Sequence, residues 1–244
     1  MAGTLTPHRN LQQITSNGAS RKAHLEAITT MWIDNMGWLH GPNVVHSPLP
    51  EASTQPTITP RNVILHTNAG PHKTLWTSLF KYMARTDVTG EPHFQLDGVN
   101  ASVANPAELK LVQFMPLGVR ADCNAKANRW AQNGKYYGAI SFETQDEGSV
   151  HNIEDDKWSI PQLHTLVCAL TAICATYGVS CGSPGRWSDS GIGYHSQFPE
   201  WSIYKGKTCP GAARVRQMPY IWTTVATLLV EYGERTGWKC GQTA

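Results

Sequence analysis

Two apolar stripes at helical spacing constrain the fold of this 244-residue chain more than any other feature. Pro161–Tyr177 carries large apolar side chains every three or four residues, with Ser159 as a candidate N-cap and Gly178 as a terminator. Pro219–Tyr232 repeats the pattern, and Gly233 follows it. A helix with such a stripe must bury it against another layer of structure. The two segments therefore predict helices that pack on one hydrophobic core.

Short apolar runs between turn residues predict the strands of a sheet. They are Asn62–His66, His93–Asp97, Leu109–Met115 and Gly138–Thr144. A further amphipathic segment at 72–85 predicts a helix after the first of these runs. Because strands and helices alternate along the chain, we expect an α/β domain of roughly 180 residues with one sheet and helices packed on it.

The N-terminal quarter has a different pattern. Ser20–Met36 shows helical spacing, and His46–Pro60 holds four prolines, which is typical of an extended connector. We therefore expect a helical extension with a proline-rich connector over residues 1–60, followed by the main domain over 61–244. The extension should pack on the main domain. Alternatively it could dock a partner through two tryptophans, Trp32 and Trp38.

Composition and charge exclude several classes of protein. Hydrophobic residues make up 41% of the chain, enough for a sizeable core, and 20 Lys+Arg against 18 Asp+Glu argue against a nucleic-acid partner. No apolar run approaches the roughly 20 residues of a membrane span, so we expect no membrane insertion, and the first 20 residues do not resemble a secretory signal. The six cysteines include no CxxC pair, which favours reduced thiols, one of them reactive or metal-bound. We expect a monomer.

Three separated residues could form a metal site. His66 closes a predicted buried strand, and the Gly193–Gly211 loop contains His195, Lys207 and Cys209. Zinc binds imidazole nitrogen and thiolate sulfur, and three protein ligands leave a fourth position for water in a catalytic site. Lys207 would share a face with Cys209 in extended chain and could stabilise an oxyanion. The alternatives are a structural histidine and a surface loop with a buried thiol.

A hydrolytic zinc site also needs a group that moves a proton. Glu143 lies at the end of the apolar run GAISFET. Partial burial there would raise the pKa of its carboxyl group and suit it to general base and then general acid catalysis. The alternative is an exposed glutamate at a strand end.

The runs VILHTNAG, GAISFETQDEG and GYHS…WSIYKGKTCPGAARV resemble the zinc-dependent type 2 N-acetylmuramoyl-L-alanine amidases. That superfamily includes phage amidase lysozymes and the peptidoglycan recognition proteins, and the greatest similarity is to amidase endolysins of phages that infect actinobacteria. The resemblance covers Asn62–Gln217, with KTCPGAAR as its most specific part. It implies a mixed β-sheet flanked by helices, with zinc in a cleft at one edge.

The resemblance also implies a role for each matching residue. His66, His195 and Cys209 match the three zinc ligands, of which the third is Cys or Asp across the family. Lys207 matches the lysine that stabilises the oxyanion. Glu143 matches the catalytic acid/base of the subgroup that lacks a catalytic tyrosine.

The chain departs from the family pattern in two places. Pro92 precedes His93-Phe94 where some members have a tyrosine, so more of the proton transfer falls to Glu143. His93 is then an extra polar candidate for substrate contact in the cleft. The separation between the second and third ligands is long, and the inserted segment around Trp201 and Tyr204 could line the groove or cover the site.

These observations predict a zinc-dependent amidase that hydrolyses the lactyl–L-alanine bond of peptidoglycan. The resemblance implies a phage endolysin, made in the host cytoplasm and acting on the cell wall after release through a separate holin. Four alternatives stay open: a module that binds muropeptide without cutting it, a zinc peptidase acting within the stem peptide, a cytoplasmic wall-recycling amidase and a phage structural protein.

Overall fold

The computed structural model describes residues 31–68, 76–85, 90–98, 109–145, 154–206 and 208–236. Its strands are β1 (Trp32–Ile33), β2 (Leu39–His40), β3 (Val44–His46), β4 (Thr59–Asn68), β5 (Phe94–Leu96), β6 (Leu111–Gln113), β7 (Trp130–Gln132), β8 (Lys135–Gln145) and β9 (Gly191–Tyr194). Its helices are α1 (Trp76–Met83), α2 (Ile160–Tyr177), α3 (Ala212–Val215) and α4 (Met218–Thr236). The predicted α/β class is confirmed.

The main sheet has seven strands in the order β3-β6-β5-β8-β4-β9, with β7 paired to β8. Strand β8 is parallel to β4 and β5, and β4 is parallel to β9, whereas β5–β6 and β7–β8 are antiparallel pairs. The sheet is therefore mixed. Strands β4, β8 and β9 all end at the same edge, so residues near their carboxyl ends are brought together there.

Alternation along β4 and β8 divides the sheet into two different faces. Val63 and Leu65 of β4 and Phe142 of β8 join a core cluster with the apolar stripes of α2 and α4. Ile64 and Ala139 point the other way, into a smaller cluster that includes Trp201. His66 has the parity of Ile64, so its ring belongs to the face that α2 and α4 do not cover.

The termini of α2 agree with the prediction. The Ser159 side chain accepts a hydrogen bond from the Gln162 backbone amide, the Gln162 side chain accepts one from the Ser159 amide, and Gly178 adopts the left-handed conformation at φ 67°. By length and composition alone α2 could cross a membrane, but most of it is buried against the sheet and α4, as in a core helix.

The sequence predicts that α4 ends at Tyr232 with Gly233 as its terminator, and this is wrong. The helix continues to Thr236. A glycine inside a helix costs only about 1 kcal/mol relative to alanine. The buried stripe of α4, which includes Ile221 and Val225, stabilises the helix by more than that.

The N-terminal predictions need correction where the structure describes this region. In Ser20–Met36, residues 20–30 lie outside the described part, and 31–36 form β1 and a turn instead of a helix. The Asp34 carboxylate accepts hydrogen bonds from the Met36 and Trp38 amides, which fixes this turn, and Gly37 follows at φ 85°. The Asp34 side chain thus accepts hydrogen bonds from backbone amides that would donate to backbone carbonyls in a helix.

The proposed division at residue 60 also does not match a structural boundary. Strand β3 pairs with β6 inside the main sheet, and β4 already begins at Thr59. The proline-rich segment between them forms a 3-10 turn at Pro50–Ser53, and the buried Leu49 donates its amide to the Phe114 carbonyl. Residues 44–60 are therefore part of the same folded body as the sheet.

A buried arginine joins α3 to the carboxyl end of β8. Arg214 is fully buried, and its guanidinium donates to the Thr144 hydroxyl at 2.9 Å, to the Gln145 carbonyl at 3.1 Å and to the Asp156 carboxylate at 3.1 Å. The indole of Trp158 also donates to the Thr144 hydroxyl, at 2.8 Å. This network holds the strand end directly after Glu143.

Arg214→Met should destabilise the protein by about 3–5 kcal/mol, because it removes the cation that faces a buried carboxylate. Urea unfolding followed by circular dichroism measures the change. Arg186→Met is the matched control, since Arg186 pairs with Asp189 at the exposed surface and should change stability little. Equal effects of the two substitutions would contradict a structural role for the buried pair.

Candidate metal centre

His66 lies near the carboxyl end of β4 and is 1% exposed. Its Nε2 lies 2.7 Å from Asn124 Oδ1. An amide oxygen can only accept, so Nε2 carries the proton and donates it. The other ring nitrogen, Nδ1, is then the one with a lone pair available for a metal.

His195 reaches the same place from the neighbouring strand. Leu65 of β4 pairs with Tyr194, the last residue of β9, and His195 follows in a one-turn 3-10 helix. The His66 and His195 ring centroids are 4.2 Å apart. Parallel strands ending side by side therefore place the two imidazoles together, although 128 residues lie between them in the sequence.

The loop before α3 brings in Cys209. The Thr67 backbone amide donates to Cys209 Sγ at 3.2 Å, and the Ser196 amide donates to the Cys209 carbonyl at 2.9 Å. The first contact ties the sulfur to β4, and the second ties the loop to the turn that holds His195. Cys209 Sγ also lies 3.8 Å from the Thr67 carbonyl, so Thr67 holds the sulfur through both of its backbone groups. A metal would bind this sulfur as the thiolate.

One ligand atom from each of these three residues lies within 4.8 Å of the others, and no other such group occurs among the residues that the structure describes. Ligand atoms on one tetrahedral zinc lie roughly 3.3–3.7 Å apart. The three side chains would close by about an ångström around an ion. Two imidazoles and one sulfur suit zinc, and the oxygen partner on the second nitrogen of His66 is typical of histidines that bind metal.

Glu143 lies beside this group because it is the register partner of His66 in the parallel pair of β8 and β4. Its Oε1 is 3.6 Å from His66 Nδ1, and its side chain is 14% exposed. The carboxylate therefore faces the nitrogen that a metal would use. From this position it can accept a proton from a water at the centre.

These residues line one open pocket of about 600 Å³, a size that accepts a small-molecule group or part of a polymer. The long segment between the second and third ligands forms one wall, through Ser202, Ile203 and Tyr204. Ile203 and Tyr204 are 77% and 64% exposed. Of the two expectations for this insertion, lining the groove is the one that the structure supports.

Trp201 contributes atoms to the pocket wall, but its ring is fully buried. Its indole donates to the Trp187 carbonyl at 2.9 Å, and the ring packs so closely on Gly193 that an added Cβ there would lie 2.5 Å from it. Trp201 thus fixes the inserted segment against β9. It supports the pocket rather than offering an exposed ring to a substrate.

The predicted substrate contact of His93 is wrong. The side chain is fully buried, its Nε2 donates to the Val119 carbonyl at 2.8 Å, and its Nδ1 accepts from the Ser141 amide at 3.1 Å. Burial lowers the pKa of the imidazole to about 4. His93 is therefore a neutral core histidine that joins β8 to the 119 region. Lys207 lies outside the described residues, and its role stays a prediction.

Two residues near the centre had no signal in the sequence. Asn124 is fully buried against His66, and Cys123 Sγ lies 4.0 Å from His66 Nε2. Burial raises the pKa of the Cys123 thiol well above its usual range, and the nearby Glu143 charge raises it further. Cys123 thus stays a neutral thiol. Both residues lie in a loop without periodicity, so only the three-dimensional contact identifies them.

Comparison with known proteins gives structural matches alone. No protein-family model and no curated protein sequence matches the chain. Similar solved structures include a mutant endolysin from Bacillus subtilis (15% identity, TM-score 0.47), which covers 77% of this chain and 98% of that one. The Staphylococcus aureus hydrolase AmiA in complex with its ligand matches at 12% identity and TM-score 0.48, over 80% of this chain and 86% of that one.

A third similar structure is the endolysin N-acetylmuramoyl-L-alanine amidase LysCS from Clostridium intestinale URNW. It matches at 12% identity and TM-score 0.45, over 74% of this chain and 95% of that one. Because these TM-scores all lie below 0.5, the chemistry of the site has to be judged from its own residues.

Proposed function

We propose that this protein is a zinc-dependent N-acetylmuramoyl-L-alanine amidase that hydrolyses the lactyl–L-alanine amide bond of peptidoglycan. The observation that carries the proposal is the convergence of His66, His195 and Cys209 beside Glu143 in one open pocket. The substrate class comes from the motifs around these residues, which resemble those of the type 2 amidases.

His66, His195 and Cys209 would hold the metal. When bound, zinc supplies a Lewis acid for the scissile carbonyl and lowers the pKa of water toward neutrality. The three side chains leave the pocket side of the centre open, where Glu143 and the wall of the inserted segment face the substrate.

Glu143 would move the proton. Its carboxylate accepts a proton from the attacking water and then donates it to the nitrogen of the leaving L-alanine. An amine leaves as the neutral molecule only after this protonation, so the same carboxyl group acts in both halves of the reaction. Lys207, two residues before Cys209, would stabilise the oxyanion in between.

We further propose that the enzyme is a phage endolysin, made in the host cytoplasm and reaching the wall through a separate holin. Support comes from the GYHS and KTCPGAAR motifs, which resemble those of endolysins from phages that infect actinobacteria. Peptidoglycan is then its partner. A module that binds muropeptide without cutting it is the alternative, and the three ligand candidates with Glu143 beside them favour hydrolysis over it.

Digestion of purified cell walls tests the proposal. We expect new N-terminal L-alanine, without new reducing sugars, in an activity that a chelator removes and added zinc restores. New N-termini of a different residue would indicate a peptidase acting within the stem. Sedimentation of the protein with walls, without any released group, would establish the binding module and contradict the enzyme.

A further inference from the structure

We propose that Asn124 is a positioning residue that holds His66 in the one tautomer able to bind a metal through Nδ1. The inference rests on the metal centre of the proposed function. It concerns a residue 58 positions from His66, which no sequence motif connects to the site.

The first support is that the backbone of Asn124 is fixed by its hydrogen bonds and by burial. Asn124 is fully buried, and its backbone amide donates to Asn128 Oδ1 at 2.6 Å. Its backbone carbonyl accepts from the Ala127 amide at 2.9 Å, which starts the 3-10 turn Ala125–Asn128. Ala127 is in turn buried in the cluster with Ile64 and Trp201. The backbone of Asn124 is thus held in place before any metal arrives. Its side-chain Nδ2 is buried with no hydrogen-bond partner among the described residues, so the contact of Oδ1 with His66 Nε2 is the one that orients the side chain.

The second support is the competition for the imidazole proton. Glu143 Oε1 lies 3.6 Å from His66 Nδ1, and a carboxylate in that position favours a proton on Nδ1. A protonated Nδ1 cannot bind a metal. Asn124 Oδ1, at 2.7 Å from Nε2, draws the single proton to the opposite nitrogen. Without the Asn124 acceptor, Glu143 would favour a proton on His66 Nδ1, and that nitrogen could then not bind the metal.

The opposite orientation of the Asn124 side-chain amide predicts the opposite tautomer of His66. If Asn124 presented its Nδ2 to the ring, Nε2 would have to accept and the proton would lie on Nδ1. The two orientations therefore predict opposite tautomers of His66. Nitrogen-15 NMR of the metal-free protein at neutral pH distinguishes them, because a protonated and an unprotonated ring nitrogen resonate far apart.

We expect the wild-type protein to show His66 protonated at Nε2. Asn124→Leu keeps the branching of the side chain at Cγ but removes the acceptor, whereas Asn124→Asp keeps an oxygen in place. In the leucine variant the proton should move to Nδ1, and zinc affinity measured by chelator competition should fall on the order of 10–100-fold. The aspartate variant should keep the Nε2 proton and most of the affinity.

A proton on Nδ1 in the wild-type protein would overturn the proposal, as would unchanged zinc affinity in a folded leucine variant. An aspartate variant as weak as the leucine variant would also overturn it. If the leucine variant does not fold, the wild-type tautomer alone decides. A wild-type protein that shows the Nε2 proton but binds no zinc would refute the proposed function and leave only the control of the His66 tautomer by Asn124.

Discussion

Glu143→Gln is expected to lower amide hydrolysis by at least about 100-fold while zinc affinity stays near that of the wild type. Glutamine keeps the size of the side chain and one oxygen beside His66, but it cannot accept a proton from water or return it to the leaving amine. Because the amine must be protonated to leave, both halves of the reaction lose their catalyst. Release of N-terminal L-alanine from walls measures the rate, and chelator competition measures the affinity.

The matched control is Glu200→Gln. Glu200 lies in the neighbouring 3-10 turn Pro199–Trp201, on the same inserted segment, and does not line the pocket of the metal centre. Its substitution removes the same charge from the region and should leave the rate unchanged. A Glu143→Gln protein that lyses walls at the wild-type rate would show that another group moves the proton.

Cys209→Ser is expected to remove zinc, and hydrolysis with it. A serine hydroxyl does not ionise near neutral pH, whereas a thiolate is both charged and soft enough to bind zinc strongly. The Thr67 amide that donates to Cys209 Sγ can donate equally to a serine oxygen, so the loop should keep its position. The readouts are metal content after dialysis and the melting temperature.

Cys181→Ser provides the comparison, because Cys181 is a half-buried cysteine that packs at the edge of the main core and does not line the pocket. It should retain zinc at the wild-type ratio. Zinc retained by the Cys209→Ser protein would exclude the sulfur as a ligand. The metal would then need a different donor set, and the proposed mechanism would lose its basis.

The main helices could be read from the sequence because their signals are local. The stripe of α2 and its caps, Ser159 and Gly178, occupy one continuous segment, and the structure confirms them. Strand β9 was missed because two of the four residues in GIGY are glycines, which are unfavourable in strands and give no apolar pattern. Its identity as a strand depends on pairing with β4, a contact with no local signature.

The site could be read only in part, for a related reason. His66, His195 and Cys209 were identified by residue type and by the surrounding motifs, and the structure brings them together. His93 was misassigned because the sequence does not show that Val119 and Ser141 occupy both of its nitrogens. Asn124 was missed for the opposite reason: an unremarkable loop residue became important through one distant contact.

The side-by-side placement of His66 and Glu143 on β4 and β8 has a consequence for how such a chain can diversify. Neighbouring strands keep a spacing of about 4.8 Å whatever the connections between them do. The segments that join these strands can therefore gain or lose residues at small entropic cost, while Glu143 and His66 keep their separation. Substitutions in those segments can therefore change which substrate binds without changing the distance between His66 and Glu143.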